Sequence, residues 1–90
     1  MASREHEYED QLLKEGFKQV YVWQDGPDTW YPDHRHPTVS THIILEGEMT
    51  LTLNGEARTY GVGERCDVPG RTVHSARMGP QGCRYLIGEK

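Results

Sequence analysis

The chain has 90 residues and carries 10 lysines and arginines against 14 aspartates and glutamates, a formal net charge of −4. A chain of this length makes one small domain that buries only about 60–65% of its unfolded surface, so pairing with a second copy would stabilise it. The acidic balance argues against the basic surface that binds a nucleic acid backbone. We therefore expect a single domain, a homodimer, and no nucleic acid partner.

Two further exclusions come from apolar runs and cysteines. No apolar run approaches the roughly 20 residues that cross a bilayer, and the chain opens on polar and acidic sequence rather than on an apolar leader. Cys66 and Cys83 are too few for a disulfide framework or a cysteine-rich zinc site. These features predict no membrane partner, a cytoplasmic location and two reduced thiols.

One helix is expected at the start of the chain. Residues 5–15 are strongly charged and place Tyr8, Leu12 and Leu13 at helical spacing, and Gly16 follows at the position of a C-terminal cap. No second helical pattern follows. We therefore assign residues 1–16 to an N-terminal helical segment and residues 17–90 to a β domain.

The β domain is predicted from short strands separated by glycine and proline. Residues 17–24 alternate, and residues 38–45 are rich in β-branched side chains and end at Glu46-Gly47, a turn or bulge signal. Asn54-Gly55 is the strongest two-residue hairpin signal, because both turn positions need positive φ. Residues 84–87 make a last strand. This pattern predicts an all-β antiparallel sandwich or barrel.

Four of the five histidines lie between positions 34 and 74. In a strand, residues i and i+2 project from the same face about 6.6 Å apart, so His34 and His36 can converge on one point. Pro37 holds His36 in an extended conformation. Two imidazoles make half a metal site, and His74 is the candidate third ligand.

Two motifs carry a family resemblance. In the first, the matching residues are His34, His36 and Gly47; in the second, they are Gly63, Pro69 and His74. With these residues, the chain resembles the small single-domain cupins, whose motifs run G-x5-H-x-H-x3-4-E-x6-G and G-x5-P-x-G-x2-H-x3-N. The resemblance covers about residues 17–87 and implies an antiparallel β-barrel of the double-stranded β-helix, or jelly-roll, type.

The chain departs from both motifs at four positions. The first motif has Asp28 for its opening glycine and Ser40 for its metal-binding glutamate; the second has its inner glycine displaced to Gly70 and Met78 for its closing asparagine. Without the glutamate, a divalent ion would keep more of its charge and favour hydroxide or an anionic substrate.

The resemblance implies one divalent transition metal held inside the barrel by His34, His36 and His74. Ser40, water or His42 can complete its shell, and we include His42 in the predicted ligand set. His42 points to the same face of the strand as Ser40 but lies about 6.6–7 Å further along it. The alternative to metal binding is that His42 lines the pocket or donates a hydrogen bond to a metal ligand. Imidazole donors suit zinc, iron, nickel or copper, and we keep manganese among the candidate metals.

The side chains expected to face inward are Trp23, Trp30, Tyr31, Ile44, Cys66 and Met78, with Trp30 and Tyr31 at the rim of the pocket mouth.

Two functions are compatible with such a metal site. One is an oxygenase- or isomerase-like metalloenzyme acting on a small polar or anionic substrate; the other is a non-catalytic module that binds a metal or a small molecule. An open coordination position favours the enzyme, and a closed shell that includes His42 favours the module. Strand alternation does not securely place the side chain of any of three carboxylates, Glu46, Glu48 and Asp67, inside the barrel. We therefore assign no catalytic residue, and the choice between enzyme and binding module stays open.

Overall fold

The computed structural model describes residues 4–90 of the chain. These residues form one helix, α1 (Glu5–Lys14), and six strands: β1 (Gln19–Asp25), β2 (Trp30–His34), β3 (Ser40–Leu53), β4 (Glu56–Tyr60), β5 (Arg65–Val68) and β6 (His74–Glu89). The predicted all-β fold with one N-terminal helix is confirmed; residues 1–3 of the predicted segment 1–16 lie outside the described residues. Between residues 4 and 90, no helix is long and apolar enough to span a membrane.

The two long strands, β3 and β6, organise the sheet. They pair with each other in antiparallel register, which is interrupted between Ile44 and Met49. On one side of the interruption, residues 40–44 and 83–89 are joined by β5 and β1; we call this layer 1. On the other side, residues 49–53 and 74–78 are joined by β4 and β2; we call this layer 2. This division into two layers is the predicted jelly-roll arrangement.

Glycines occupy the interruption between the layers. Gly47 has φ 77° and Gly82 has φ 80°, a region that strains residues with side chains. A Cβ atom on Gly47 would also collide with the carbonyl oxygen of Gly82. The Glu46-Gly47 signal therefore marks a bulge rather than a turn, and the two strands predicted around it are one strand of 14 residues.

The other turn signals have mixed outcomes. Asn54 and Gly55, with φ 50° and 85°, form the predicted hairpin turn between β3 and β4. The last strand was predicted over residues 84–87 but runs over 16 residues from His74 to Glu89. The prediction of its start was wrong because Gly79 and Pro80 stay within the strand and the register shift opposite Gly47 absorbs the irregularity.

Hydrophobic clusters lie on the two faces of layer 1. The inner cluster, between the layers, includes Ile44, Leu51 and Met78. The outer cluster joins α1 to the sheet and contains Leu12 and Leu86, both with no exposed surface. Burying one leucine side chain contributes about 1.5–3 kcal/mol, so these contacts help to hold α1 against layer 1.

An ion pair fastens the end of α1 to β5. The two terminal nitrogens of Arg65, Nη1 and Nη2, donate to the two carboxylate oxygens of Glu15 at 2.8 and 2.7 Å. Arg65 Nε donates to Asp67 at 2.8 Å. The hydrogen bond from Arg65 is the main reason that the pKa of Glu15 is lowered to about 2. The ionised carboxyl of Glu15 is thus tied to the folded state.

The glycine bulge generates the first prediction. Gly47→Ala places a Cβ atom against the Gly82 backbone and strains φ, so we expect the free energy of unfolding to fall by at least about 2 kcal/mol. The control is Gly26→Ala, because a Cβ atom there meets nothing within 4 Å. Urea unfolding followed by tryptophan fluorescence measures both variants. Equal stability of the two would contradict the role assigned to the bulge.

The Glu15 carboxyl generates a pH dependence. Its pKa in the folded state, about 2, lies below the ordinary value of 4.5. Its stabilising contribution is therefore fully present above about pH 4.5 and is lost as the pH falls towards 2. We expect the melting temperature of Glu15→Gln to fall less than that of the wild type over this interval. Glu7→Gln, which changes an exposed residue of α1, should show the same fall as the wild type. Melting temperatures recorded from pH 5 to pH 2 check this; parallel curves for all three proteins would refute it.

Candidate metal centre

Three histidines from β2, β6 and the loop after β2 lie side by side. His34, the last residue of β2, pairs with His74, the first residue of β6, and His36 follows two residues after His34. Their ring centroids are separated by 4.2 Å (His34 and His74), 4.9 Å (His34 and His36) and 5.3 Å (His36 and His74). One ligand nitrogen from each ring lies within 4.8 Å of the others. The three histidines thus form a cluster able to hold a metal ion.

Backbone hydrogen bonds set which ring nitrogen is available in two of these histidines. His34 Nδ1 lies 2.8 Å from the carbonyl oxygen of Pro32, and His74 Nδ1 lies 2.9 Å from that of Thr72. A carbonyl oxygen only accepts hydrogen bonds, so Nδ1 carries the proton, and in the neutral form of each ring Nε2 keeps its lone pair. Metal-binding histidines are oriented in this way. The donor set therefore fits a divalent transition metal.

Burial keeps His74 in the form that binds a metal. Its side chain is almost fully enclosed, and burial is the main cause that lowers its pKa. Hydrogen bonding to Thr72 acts in the opposite direction, and the neighbouring His34 and His36 lower the pKa further. A neutral imidazole is the ligand form, so this environment favours metal binding.

The other two candidate ligands lie on layer 1, on β3. Ser40 is buried, and His42 lies two residues further along with its ring 5.8 Å from that of Tyr85. Burial, followed by the nearby His74, lowers the pKa of His42 to about 4, so the ring is neutral near pH 7. His42 is not part of the close group formed by the three other histidines. Its membership of the metal shell stays a prediction.

A cavity of about 300 Å³ lies between the three clustered histidines and the two residues of β3, Ser40 and His42. It is lined by the three clustered histidines, by apolar side chains of layer 2, and by aromatic and polar side chains: Tyr21, Trp23, Tyr31, Ser40, His42, Tyr85 and Glu89. Tyr21 and Trp23 are 40% and 50% exposed, so they mark its opening. Among the described residues that line the cavity there is no lysine or arginine.

The inward-facing residues predicted from the sequence divide into three groups. Trp23, Tyr31 and Met78 line the cavity, and Ile44 and Cys66 pack in the inner cluster. The prediction for Trp30 was wrong: its side chain is 51% exposed and packs against Arg77 on the other face of β2. Strand alternation explains the difference, because adjacent residues of β2 point to opposite faces and Tyr31 takes the inward position.

Asp25 organises the aromatic side chains of the cavity. Its carboxylate accepts hydrogen bonds from the hydroxyls of Tyr31 and Tyr85 at 2.7 and 2.6 Å, and from Trp23 Nε1 at 3.1 Å. Burial, together with this carboxylate, raises the pKa of both tyrosines. Their phenols therefore stay protonated and fixed in orientation. Sequence reasoning did not identify Asp25, since nothing local marks a carboxylate that accepts hydrogen bonds from distant donors.

Glu89 is the carboxylate that lines the cavity, and sequence reasoning missed it. It pairs with Ser40 across β6 and β3, and Tyr21 donates a hydrogen bond to its Oε1 at 2.9 Å. The three carboxylates considered from the sequence, Glu46, Glu48 and Asp67, are not among the lining residues. Counting alternate residues from Tyr85 through Ile87 would have identified Glu89 as inward-facing.

Comparison with known proteins gives matches for most of the chain. The family model described as "Cupin domain" matches residues 21–87. Dimethylsulfoniopropionate lyase DddW of Ruegeria pomeroyi is 30% identical over 63 residues, which are 70% of this chain and 41% of that protein. This chain therefore spans about two fifths of the length of that relative.

Solved structures share the fold. The crystal structure of the dimethylsulfoniopropionate (DMSP) lyase DddQ from Ruegeria pomeroyi superposes with a TM-score of 0.72 at 26% identity, covering 79% of this chain and 36% of that one. A cupin-2 domain protein from Shewanella frigidimarina superposes with a TM-score of 0.70 at 22% identity, covering 79% of this chain and 68% of that one. The second likeness bears on the fold alone.

The cluster generates a prediction about metal content. His36→Ala removes one of the three clustered donors, and we expect the affinity for zinc, nickel or iron to fall by more than the roughly 10–100-fold that follows loss of a histidine's hydrogen-bond partner. His6→Ala, in exposed α1, is the control. Elemental analysis of protein purified without added metal, followed by titration with each ion, measures the effect. Undiminished metal in His36→Ala would rule out the cluster.

Proposed function

The chain belongs to the cupin domain family, and we propose that it is a metal-dependent enzyme acting in the cavity on a small polar or anionic molecule that carries a carboxylate. The observation that carries this proposal is the cluster of three histidines lining a cavity, with His42 outside the close group. Catalytic metal sites use three protein ligands and leave one position for water or substrate, whereas structural sites are closed. This arrangement favours the enzyme over the non-catalytic binding module.

His34, His36 and His74 would hold one divalent transition metal, chosen from zinc, iron, nickel, copper and manganese. Imidazole ligands carry no charge when they bind a metal, so they would leave the charge of the ion uncompensated, which favours an anionic ligand such as a carboxylate. When bound, the ion supplies Lewis-acid polarisation of an oxygen ligand. The apolar side chains of layer 2, such as Met49 and Met78, line the same cavity.

Elimination is our first candidate for the reaction, ahead of the oxygenation or isomerisation expected from the sequence. Its support is the relative named as a lyase, at 30% identity over 63 residues. For dimethylsulfoniopropionate, elimination breaks the carbon–sulfur bond, removes a proton from the carbon beside the carboxylate, and releases dimethyl sulfide and acrylate. The group that accepts the proton must be a base inside the cavity.

Glu89 is our candidate for that base. One of its carboxylate oxygens, Oε1, is held by the Tyr21 hydroxyl, which leaves Oε2 to accept a proton. Tyr31 and Tyr85 are poorly suited to the role because burial and Asp25 keep their phenols protonated.

The homodimer, the cytoplasmic location and the absence of nucleic acid and membrane partners stay predictions that rest on chain length, composition and charge.

The proposed function predicts metal-dependent turnover. Protein loaded with zinc, nickel or iron is incubated with dimethylsulfoniopropionate, and released dimethyl sulfide is measured by gas chromatography. We expect turnover that a chelator abolishes, and a loss of at least about 100-fold in Glu89→Gln at unchanged metal content. Glu46→Gln, whose carboxylate does not line the cavity, is the control.

Other results would redirect the proposal. Full activity in Glu89→Gln would contradict the assignment of the base. If dimethyl sulfide is not released, oxygen consumption and isomerisation are followed on a panel of small carboxylates. Metal binding without turnover of any of them would favour the binding module instead.

A further inference from the structure

Two polar atoms on layer 1 lack hydrogen-bond partners. Within residues 4–90, Ser40 Oγ and His42 Nδ1 are the buried side-chain nitrogen and oxygen atoms without a partner. Leaving such an atom unpaired destabilises the fold, which is why buried polar groups are nearly always satisfied. Both belong to residues that line the same cavity. Finding them two residues apart on one strand points to a polar group that binds there.

The strand register places this pair within the cavity. Ser40 pairs with Glu89, and His42 pairs with Ile87, so both residues occupy inward-facing rows of layer 1. The histidine cluster belongs to layer 2 and the loop beside it. A ligand that touches both sets therefore spans the space between the layers. The 4% exposure of Ser40 shows that its hydroxyl is enclosed by protein rather than bathed in solvent.

The chemistry of the two atoms selects the group that satisfies them. The Ser40 hydroxyl both donates and accepts, whereas neutral His42 Nδ1 either donates or accepts, depending on its tautomer. A carboxylate only accepts and an ammonium only donates, so each matches one tautomer of His42. A ligand hydroxyl matches both, because it gives one hydrogen bond and takes another.

We propose that Ser40 and His42 form a subsite for a substrate hydroxyl, so that the preferred ligand is a small hydroxycarboxylate. This inference rests on the proposed function for the carboxylate end, which the metal centre attracts. It also gives His42 a role other than that of a fourth metal ligand.

Matched acids test the subsite. Isothermal titration of the metal-loaded protein compares 3-hydroxypropionate with propionate and 4-hydroxybutanoate with butanoate. We expect a preference of about three- to tenfold for the hydroxy acid in at least one pair, the size of one or two net hydrogen bonds. Ser40→Ala should reduce it to less than twofold. The control is Ser75→Ala, because Ser75 is equally buried but does not line the cavity.

His42→Leu separates the two roles considered for His42. We expect this variant to keep the metal content of the wild type and to lose the preference for the hydroxy acid. Loss of metal comparable to that in His36→Ala would make His42 a ligand and overturn the inference. Equal binding of both members of each pair by the wild type would show that only water occupies the subsite, and the inference alone would fail. If the wild type binds none of the acids, the proposed carboxylate-bearing substrate class and the inference fail together.

Discussion

The antiparallel pairing of β3 with β6 is the constraint on which the rest of the structure depends. Each of these strands runs through both layers, and the register shift around Gly47 lets the pairing continue where the sheet folds over. Because the same two strands build both walls, the distance between the histidine cluster and the polar residues of layer 1 is set by backbone hydrogen bonds. Strand register therefore sets most of the cavity, and the loop after β2 adds His36.

Hydrogen bonds to fixed acceptors then organise the side chains in the cavity. The backbone carbonyls of Pro32 and Thr72 orient two imidazoles, and the Asp25 carboxylate orients two phenols and an indole. Every one of these acceptors lies on or beside a strand. Groups fixed in this way lose little conformational entropy when a ligand arrives, which lowers the cost of binding.

Much of this arrangement could be predicted from local pattern. Alternation and the Asn54-Gly55 turn identified the strands, spacing identified His34 and His36, and the resemblance to the cupin motifs added His74. The prediction failed where a residue's role depends on register between distant strands. Nothing near Glu89 in the sequence shows that it lies beside Ser40, and Gly79 and Pro80 are typical of a strand end rather than of the middle of a strand. Parity alone could not decide whether His42 approaches the cluster, because that depends on how the layers fold over each other.

The alternation along β3 and β6 has a consequence for how the protein can change over evolutionary time. Ile43 and Leu86 face the helix, while their chain neighbours His42 and Ile87 face the cavity. Selection for thermal robustness can thus act on one set of positions and selection for a new ligand on the other, although both sets occupy the same few nanometres of backbone. The two-sided sheet separates these requirements and leaves the scaffold free to acquire new specificities.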